Sequence, residues 1–247
     1  MPRCRQPAAQ RLRARGARVA KASRVARSGR IYVLAGCNGA GKSSIGGAAL
    51  RQSGGEFFNP DEAAQRIAAA NSTRQPSLTQ AQINGAAWNE GRRLLQRAID
   101  EHADFAFETT LGGKTMTALL EQAAQAGLAV HVWFTGLTNV ELHIDRVRRR
   151  VAKGGHNIPA GKIRERFENG RVNLIRLLPH LTELYLYDNS AEADPDSGAT
   201  PFPRRLLYYR KRRIVSPTSL KTLLAATPAW AKPIVAAAIS LHLSQRR

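Results

Sequence analysis

The stretch Ile31-Tyr32-Val33-Leu34-Ala35-Gly36-Cys37-Asn38-Gly39-Ala40-Gly41-Lys42-Ser43 decides the reading of this chain, because five apolar residues run straight into the pattern G-x-x-x-x-G-K-S. A short apolar run closed by glycine reads as a buried strand. From Ser43 to Gln52 the chain can continue as a helix. Strand, glycine-rich turn and helix, in that order, are the setting in which this pattern grips phosphate. Its small residues let successive backbone N–H groups turn inward as an anion-binding nest, and the helix adds the positive end of its dipole. Gly36, Cys37, Asn38, Gly39, Ala40, Gly41, Lys42, Ser43 and Ser44 are therefore the expected nucleotide-binding set. In it, Lys42 reaches the β/γ-phosphates and Ser43 ligates Mg²⁺.

Outward from the loop, apolar runs alternate with helical periodicity. Glu56-Phe57-Phe58 reads as a short strand ending at Asn59-Pro60-Asp61-Glu62, where a helix starts with Asp61 near its N-cap. Ser77 to Ala103 carries Ile83, Ala87, Leu94, Leu95, Ala98 and Ile99 at helical spacing. Strands follow over 104–108, 129–134 and 183–187, separated by helices over 112–127, 138–153 and 160–178. The alternation predicts an α/β fold, a parallel sheet with helices on both faces. Asp194 to Pro203 is rich in Pro, Gly and Ser and marks a boundary; beyond it 205–209 and 213–215 read as a hairpin, and 219–226 and 229–243 as helices. The expected organisation is a basic, disordered arm over 1–29, a core over 30–193, and an extension over 194–247 packed on that core.

The chain has 247 residues and is 43% hydrophobic, enough for one such core. Its formal net charge of +20 is unevenly placed. Residues 1–30 and 201–247 hold ten Lys/Arg each and no acid, whereas 31–200 balances 18 basic residues against 18 acidic ones. A neutral core with basic ends reads as an enzyme with accessories, since nucleic-acid folds carry their charge on the folded face. The ends remain candidates for touching nucleic acid, anionic lipid or an acidic partner protein. An organellar transit peptide also fits the arm's Arg-rich, acid-free composition. No apolar run is long enough for a transmembrane segment or secretory signal, so the expectation is a cytoplasmic protein. Cys4 and Cys37 make no metal or disulfide framework, and Cys37 reads as a small loop filler.

A triphosphate loop serves motors, switches and kinases alike. No L-S-G-G-Q occurs, no strand ends in the acidic pair of a motor ATPase, and the guanine-specific N-K-x-D is missing. Three features suit a small-molecule kinase instead. Asp61 follows the second strand at the carboxyl edge where α/β sheets bind ligands, placed to take a proton from an acceptor hydroxyl, with Asn59 and Glu62 beside it. The other reading of Asp61 is a helix cap. Glu108 and Thr110 end the third strand, to hold the acceptor or order a Mg²⁺-bound water, or else to cap the helix near Lys114. Arg146, Arg148, Arg149 and Arg150 end one helix, Gly154-Gly155 break it, and Arg164 and Arg166 start the next. Arginines around a glycine hinge read as a lid that meets phosphoryl charge, with Arg146, Arg150, Arg164 and Arg166 the first candidates. A solvated helix face is the other reading. His156, in that hinge, has no partner ligands and reads as a lid hydrogen-bonding group rather than a metal ligand.

These blocks, taken in order, resemble the zeta toxin family of kinases: Gly36 to Ser43, Phe58-Asn59-Pro60-Asp61-Glu62, Phe105 to Thr110, Gly154-Gly155-His156-Asn157-Ile158-Pro159 and Tyr187-Asp188-Asn189-Ser190. The likeness spans 31–190 and is closest to the compact chromosomal branch. It implies a nucleotide-kinase-like fold that uses ATP and Mg²⁺ to phosphorylate a sugar hydroxyl, with UDP-N-acetylglucosamine the family's best-known acceptor. It also leaves an antitoxin protein as a candidate partner. It puts the base role on Asp61, acceptor contacts on Glu108 and Thr110, and phosphate contacts on Lys42 and the lid arginines. The chain departs from the family pattern at Asn169, where an arginine often stands, with Arg171 two residues on, and in its long basic arm. Related folds phosphorylate nucleosides, dinucleotides or antibiotics. Beside the small-molecule kinase stand two alternatives, a polynucleotide kinase and a nucleotide-gated binding protein without transfer.

Overall fold

The computed structural model describes residues 28–42, 57–72, 76–192 and 202–245. Among the described residues seven strands form one sheet: β1 (Arg30–Ala35), β2 (Phe57–Phe58), β3 (Phe105–Thr109), β4 (Ala129–Gly136), β5 (Glu183–Asp188), β6 (Arg204–Arg210) and β7 (Arg213–Ser216). Their order is β2-β3-β1-β4-β5-β6-β7. The first five strands pair in parallel, and β6 and β7 add on antiparallel beside β5. The β6–β7 turn rests on Lys211 and Arg212, whose positive φ angles match the twist a two-residue hairpin needs.

Seven α-helices stand among the described residues: α1 (Pro60–Ala70), α2 (Gln80–Asp100), α3 (Lys114–Gln125), α4 (Val140–Ala152), α5 (Ala160–Leu177), α6 (Leu220–Ala226) and α7 (Lys232–Ser244). Local chemistry starts several of them. Asn59 caps α1 through its side chain, and Thr79 with Gln82 closes a capping box on α2. Asn139 caps α4, accepting from Leu142 N at 2.9 Å. Each helix runs within a few residues of its expected range. The apolar piece from Ala229 differs in opening as a 3₁₀ turn over Ala229–Ala231 before α7 begins. The helix expected over 43–52 lies outside the described residues, as does the expected arm up to residue 27.

The core fills one face of the sheet. Ile31, Val33, Phe107, Val132, Leu184 and Leu207 point to it and meet Leu95 of α2, Leu120 of α3, Leu174 of α5 and Val235 of α7. Period-2 alternation within the strands sends Tyr32, Leu34 and Trp133 to the other face. There Trp133, Tyr185 and Tyr208 stack across three neighbouring strands with centroids 5.4 and 4.6 Å apart. Ser28 and Gly29 are already tied into the fold: Ser28 Oγ donates to Gly127 O, and Gly29 O accepts from Ala129 N at 2.9 Å. None of the described helices is long and apolar enough to cross a membrane.

Candidate active site

The reversal of strand order on either side of β1 opens a crevice at the carboxyl edge of β1, β3 and β4, the place where open α/β sheets bind ligands. The loop after β1 occupies it. Gly39 and Gly41 both have φ of +80°, a left-handed backbone that glycine adopts without strain. Neither has room for a Cβ: one on Gly39 would lie 2.7 Å from His143 O, and one on Gly41 would collide with the Asn189 amide. Lys42 is 7% exposed, its Nζ 3.4 Å from both Glu108 Oε1 and Cys37 O. The Cys37 side chain is buried, and its Sγ lies 3.4 Å from Ile163 O. Burial pushes its thiol up to about 11, so it stays protonated at neutral pH and plugs the gap between loop and α5. Ser43 and Ser44 lie outside the described residues.

A cavity of about 760 Å³ opens from the loop. It is lined by Asn38 and Lys42 of the loop, Asn59 and Asp61 at the start of α1, Glu108 and Thr110 after β3, and His156, with Lys162 and Arg166 reaching it from α5. Asp61 is the second residue of α1, not its cap. The cap is Asn59, whose Oδ1 accepts from Asp61 N at 2.9 Å, so the carboxylate is left 55% exposed at the helix start with Arg150 Nη1 3.7 Å away. Thr110 does not cap α3 either: its Oγ1 accepts from Gly112 N, while Gly113 stands at the cap without a side-chain bond. The structure thus brings Lys42, Asn59, Asp61, Glu108, Thr110 and His156 around one space.

The four lid arginines divide. Arg166 Nη1 donates to Asn38 Oδ1 at 2.9 Å, on the phosphate loop itself. Arg150 bridges Asp61 and His156 O, the latter at 3.1 Å. Arg146 starts beside Gly39, but its guanidinium turns to Ala191 O at 3.1 Å and Glu192 at 3.7 Å. Arg164 stands apart. In the second turn of α5 it faces solvent and forks onto Glu141 at 2.5 and 3.3 Å, two positions before Arg166 and off the face that Arg166 presents to the loop. Arg171 packs over the Phe167 ring at 4.3 Å and donates to Trp230 O at 3.3 Å, fastening α5 to the C-terminal elements.

Sequence reasoning assigned no role to several residues in the site. Gln80, Asn84 and Trp88 face the cavity from one side of α2, with Trp88 43% exposed. A large aromatic at a non-core position of an amphipathic helix was the available signal. His143 and Asn189 hold the loop from outside: His143 Nδ1 lies 2.8 Å from Asn38 O, and Asn189 Nδ2 donates to Ala40 O at 2.9 Å. Burial drives the His143 imidazole down to about 4, against the help of its bond to Asn38, with the Lys42 and Arg146 charges adding to the effect. The neutral ring carries its proton on Nδ1, because a carbonyl only accepts.

A phosphate loop after the first strand of a 2-3-1-4-5 parallel sheet, opening on a cavity with carboxylates and arginines, defines a P-loop kinase, a phosphotransferase. The model of the family described as "Zeta toxin" matches residues 16–192, well over half the chain. The chain belongs to that family. A Haemophilus influenzae protein described as uncharacterized is 29% identical over 140 residues, covering 53% of this chain and 88% of its own. The fold is similar to that of the AvrRxo1-ORF1:-ORF2 complex, with a TM-score of 0.59 at 13% identity over 88% of this chain and 76% of that one. A structure of the same complex with ATP gives 0.57 at 15% identity over 87% and 80%.

Proposed function

We propose that this kinase moves the γ-phosphate of ATP to a hydroxyl of a small molecule, with a nucleotide-sugar such as UDP-N-acetylglucosamine the first acceptor to test. The observation that carries the reading is that one cavity of about 760 Å³ is lined by Lys42 of the phosphate loop together with Asp61, Glu108 and Thr110. That volume suits a drug-sized organic molecule beside a triphosphate loop. In this reading the loop N–H groups and Lys42 hold the phosphates. Asp61, poised at the start of α1, accepts the proton of the attacking hydroxyl. Glu108 and Thr110 position that hydroxyl, with Asn59 and His156 at the rim, and Arg150 and Arg166 meet charge that gathers on the transferring group. Ser43 and Glu108 would hold Mg²⁺, which would supply positive charge against the phosphates. One protein carboxylate suits that ion, which fills its shell with phosphate and water; among the described residues no group of three or more acidic, His or Cys side chains forms a metal site by itself.

Family membership and a fold neighbour solved as a two-protein complex favour an antitoxin-like partner. The neutral 31–200 segment and the absence of a membrane-crossing helix among the described residues are consistent with work in the cytoplasm. None of the described residues of the basic 201–247 segment lines the cavity, so the nucleic-acid reading gains no support from them. The test is incubation with γ-labelled ATP and separate pools of nucleotide-sugars, nucleosides and oligonucleotides. Label on a nucleotide-sugar is the expected result. Label on oligonucleotides alone, or ATP binding with no labelled product from any pool, overturns it.

A further inference from the structure

Two side chains remote in sequence grip the phosphate loop by its carbonyls. His143, at the start of α4, is fully buried and holds Asn38 O at 2.8 Å; Asn189, just past β5, holds Ala40 O at 2.9 Å. A trans peptide is planar, with its C=O and the next N–H pointing opposite ways. Tethering the carbonyls of Asn38 and Ala40 outward therefore turns the N–H groups of Gly39 and Gly41 inward, to the concave side where the pattern takes phosphate. The same two peptides precede the left-handed glycines, the points at which an unrestrained loop flips most readily. Both tethers are built in. The Gly39 Cα packs against His143 O, and the Gly41 Cα against the Asn189 amide, so the loop and its two holders fit without space between them.

We propose that His143 and Asn189 are positioning residues for the nucleotide, fixing the direction of the Gly39 and Gly41 N–H groups through the Asn38 and Ala40 carbonyls. The inference rests on the reading that this loop takes ATP. Neither side chain needs to touch the ligand. Their contribution is a loop already turned for phosphate before binding, which lowers the ordering cost of binding. Because α4 also carries Arg146 and Arg150, His143 ties the loop to the lid helix as well.

Calorimetric titration of the full-length chain with ATP, inorganic triphosphate and adenosine tests this in wild type, Asn189→Ala, His143→Leu and His143→Asn. Loss of one neutral hydrogen bond should weaken ATP and triphosphate about 2- to 10-fold in Asn189→Ala and His143→Leu while leaving adenosine unchanged. His143→Asn should recover most of the loss, since its amide can donate from the Nδ1 position. The ¹⁵N spectrum of wild-type His143 should show a protonated Nδ1 and a bare Nε2. Unchanged triphosphate affinity in folded Asn189→Ala, or a proton on Nε2 alone, overturns the inference. If His143→Leu fails to fold, Asn189→Ala and the wild-type spectrum still decide it. A wild-type chain that binds no ATP would sink the functional reading instead, with the spectrum still reporting the His143 tether.

Discussion

At the scale of single residues, the motif announced Lys42 and its loop, because a phosphate nest is made of consecutive residues and is written locally. The groups that meet it from a distance were not legible. His143 looks like any polar residue of a charged helix until the fold closes α4 over Gly39, and Asn189 lies in a Tyr187-Asp188-Asn189-Ser190 stretch whose pattern points to no particular chemistry. Burial makes His143 a measurable feature. Its folded pKa of about 4 lies below the unfolded value of 6.5, so the unfolded chain binds the proton first as pH falls. Stability from this group is fully present above pH 6.5 and is lost progressively toward pH 4. Wild type should lose about 3 kcal/mol relative to the non-titrating His143→Asn over that window, read from urea unfolding at a series of pH values. Parallel curves for the two proteins would show that the ring is not held neutral.

Elements were more legible than contacts. Periodicity gave the order of strands and helices to within a few residues, because each strand–helix switch changes the hydrophobic period from 2 to 3.6. It could not say which face of a lid helix meets the loop. Arg164 and Arg166 are two residues apart, and α5 turns one toward Glu141 and the other toward Asn38. Arg166→Lys should therefore cost about 10- to 100-fold in kcat, since an ammonium cannot reproduce the planar fork, whereas Arg164→Ala should change kcat little, its exposed ion pair being worth about 0–1 kcal/mol. Steady-state kinetics of both variants checks the split, and equal losses would contradict it. The docking of the C-terminal elements was likewise not readable locally. Gly136 ends β4 directly beneath the buried Trp230 ring, where a Cβ would collide with it. Gly136→Ala should destabilise the protein by about 1–3 kcal/mol by overpacking, seen as a lower urea midpoint; an unchanged midpoint would mean that this packing is loose.

For the whole molecule, charge and chemistry separate along the chain: the excess positive charge sits at the two ends and the cavity in the neutral middle. Deleting residues 1–27, and so sparing Ser28 and Gly29, should leave small-molecule transfer near wild type; a large loss of turnover would make the arm part of the catalytic unit. The central claim is that one cavity joins a phosphate-holding side at Lys42 to an acceptor side at Asp61. It is tested most directly by measuring ATP affinity and single-turnover transfer together in Lys42→Ala and Asp61→Asn, each confirmed folded. The account predicts that Lys42→Ala loses ATP binding and with it transfer. Asp61→Asn should keep ATP affinity and lose transfer about 10²- to 10⁴-fold, the usual worth of a general base. A folded Asp61→Asn protein that transfers at the wild-type rate, or a folded Lys42→Ala protein that still binds and transfers, would contradict it.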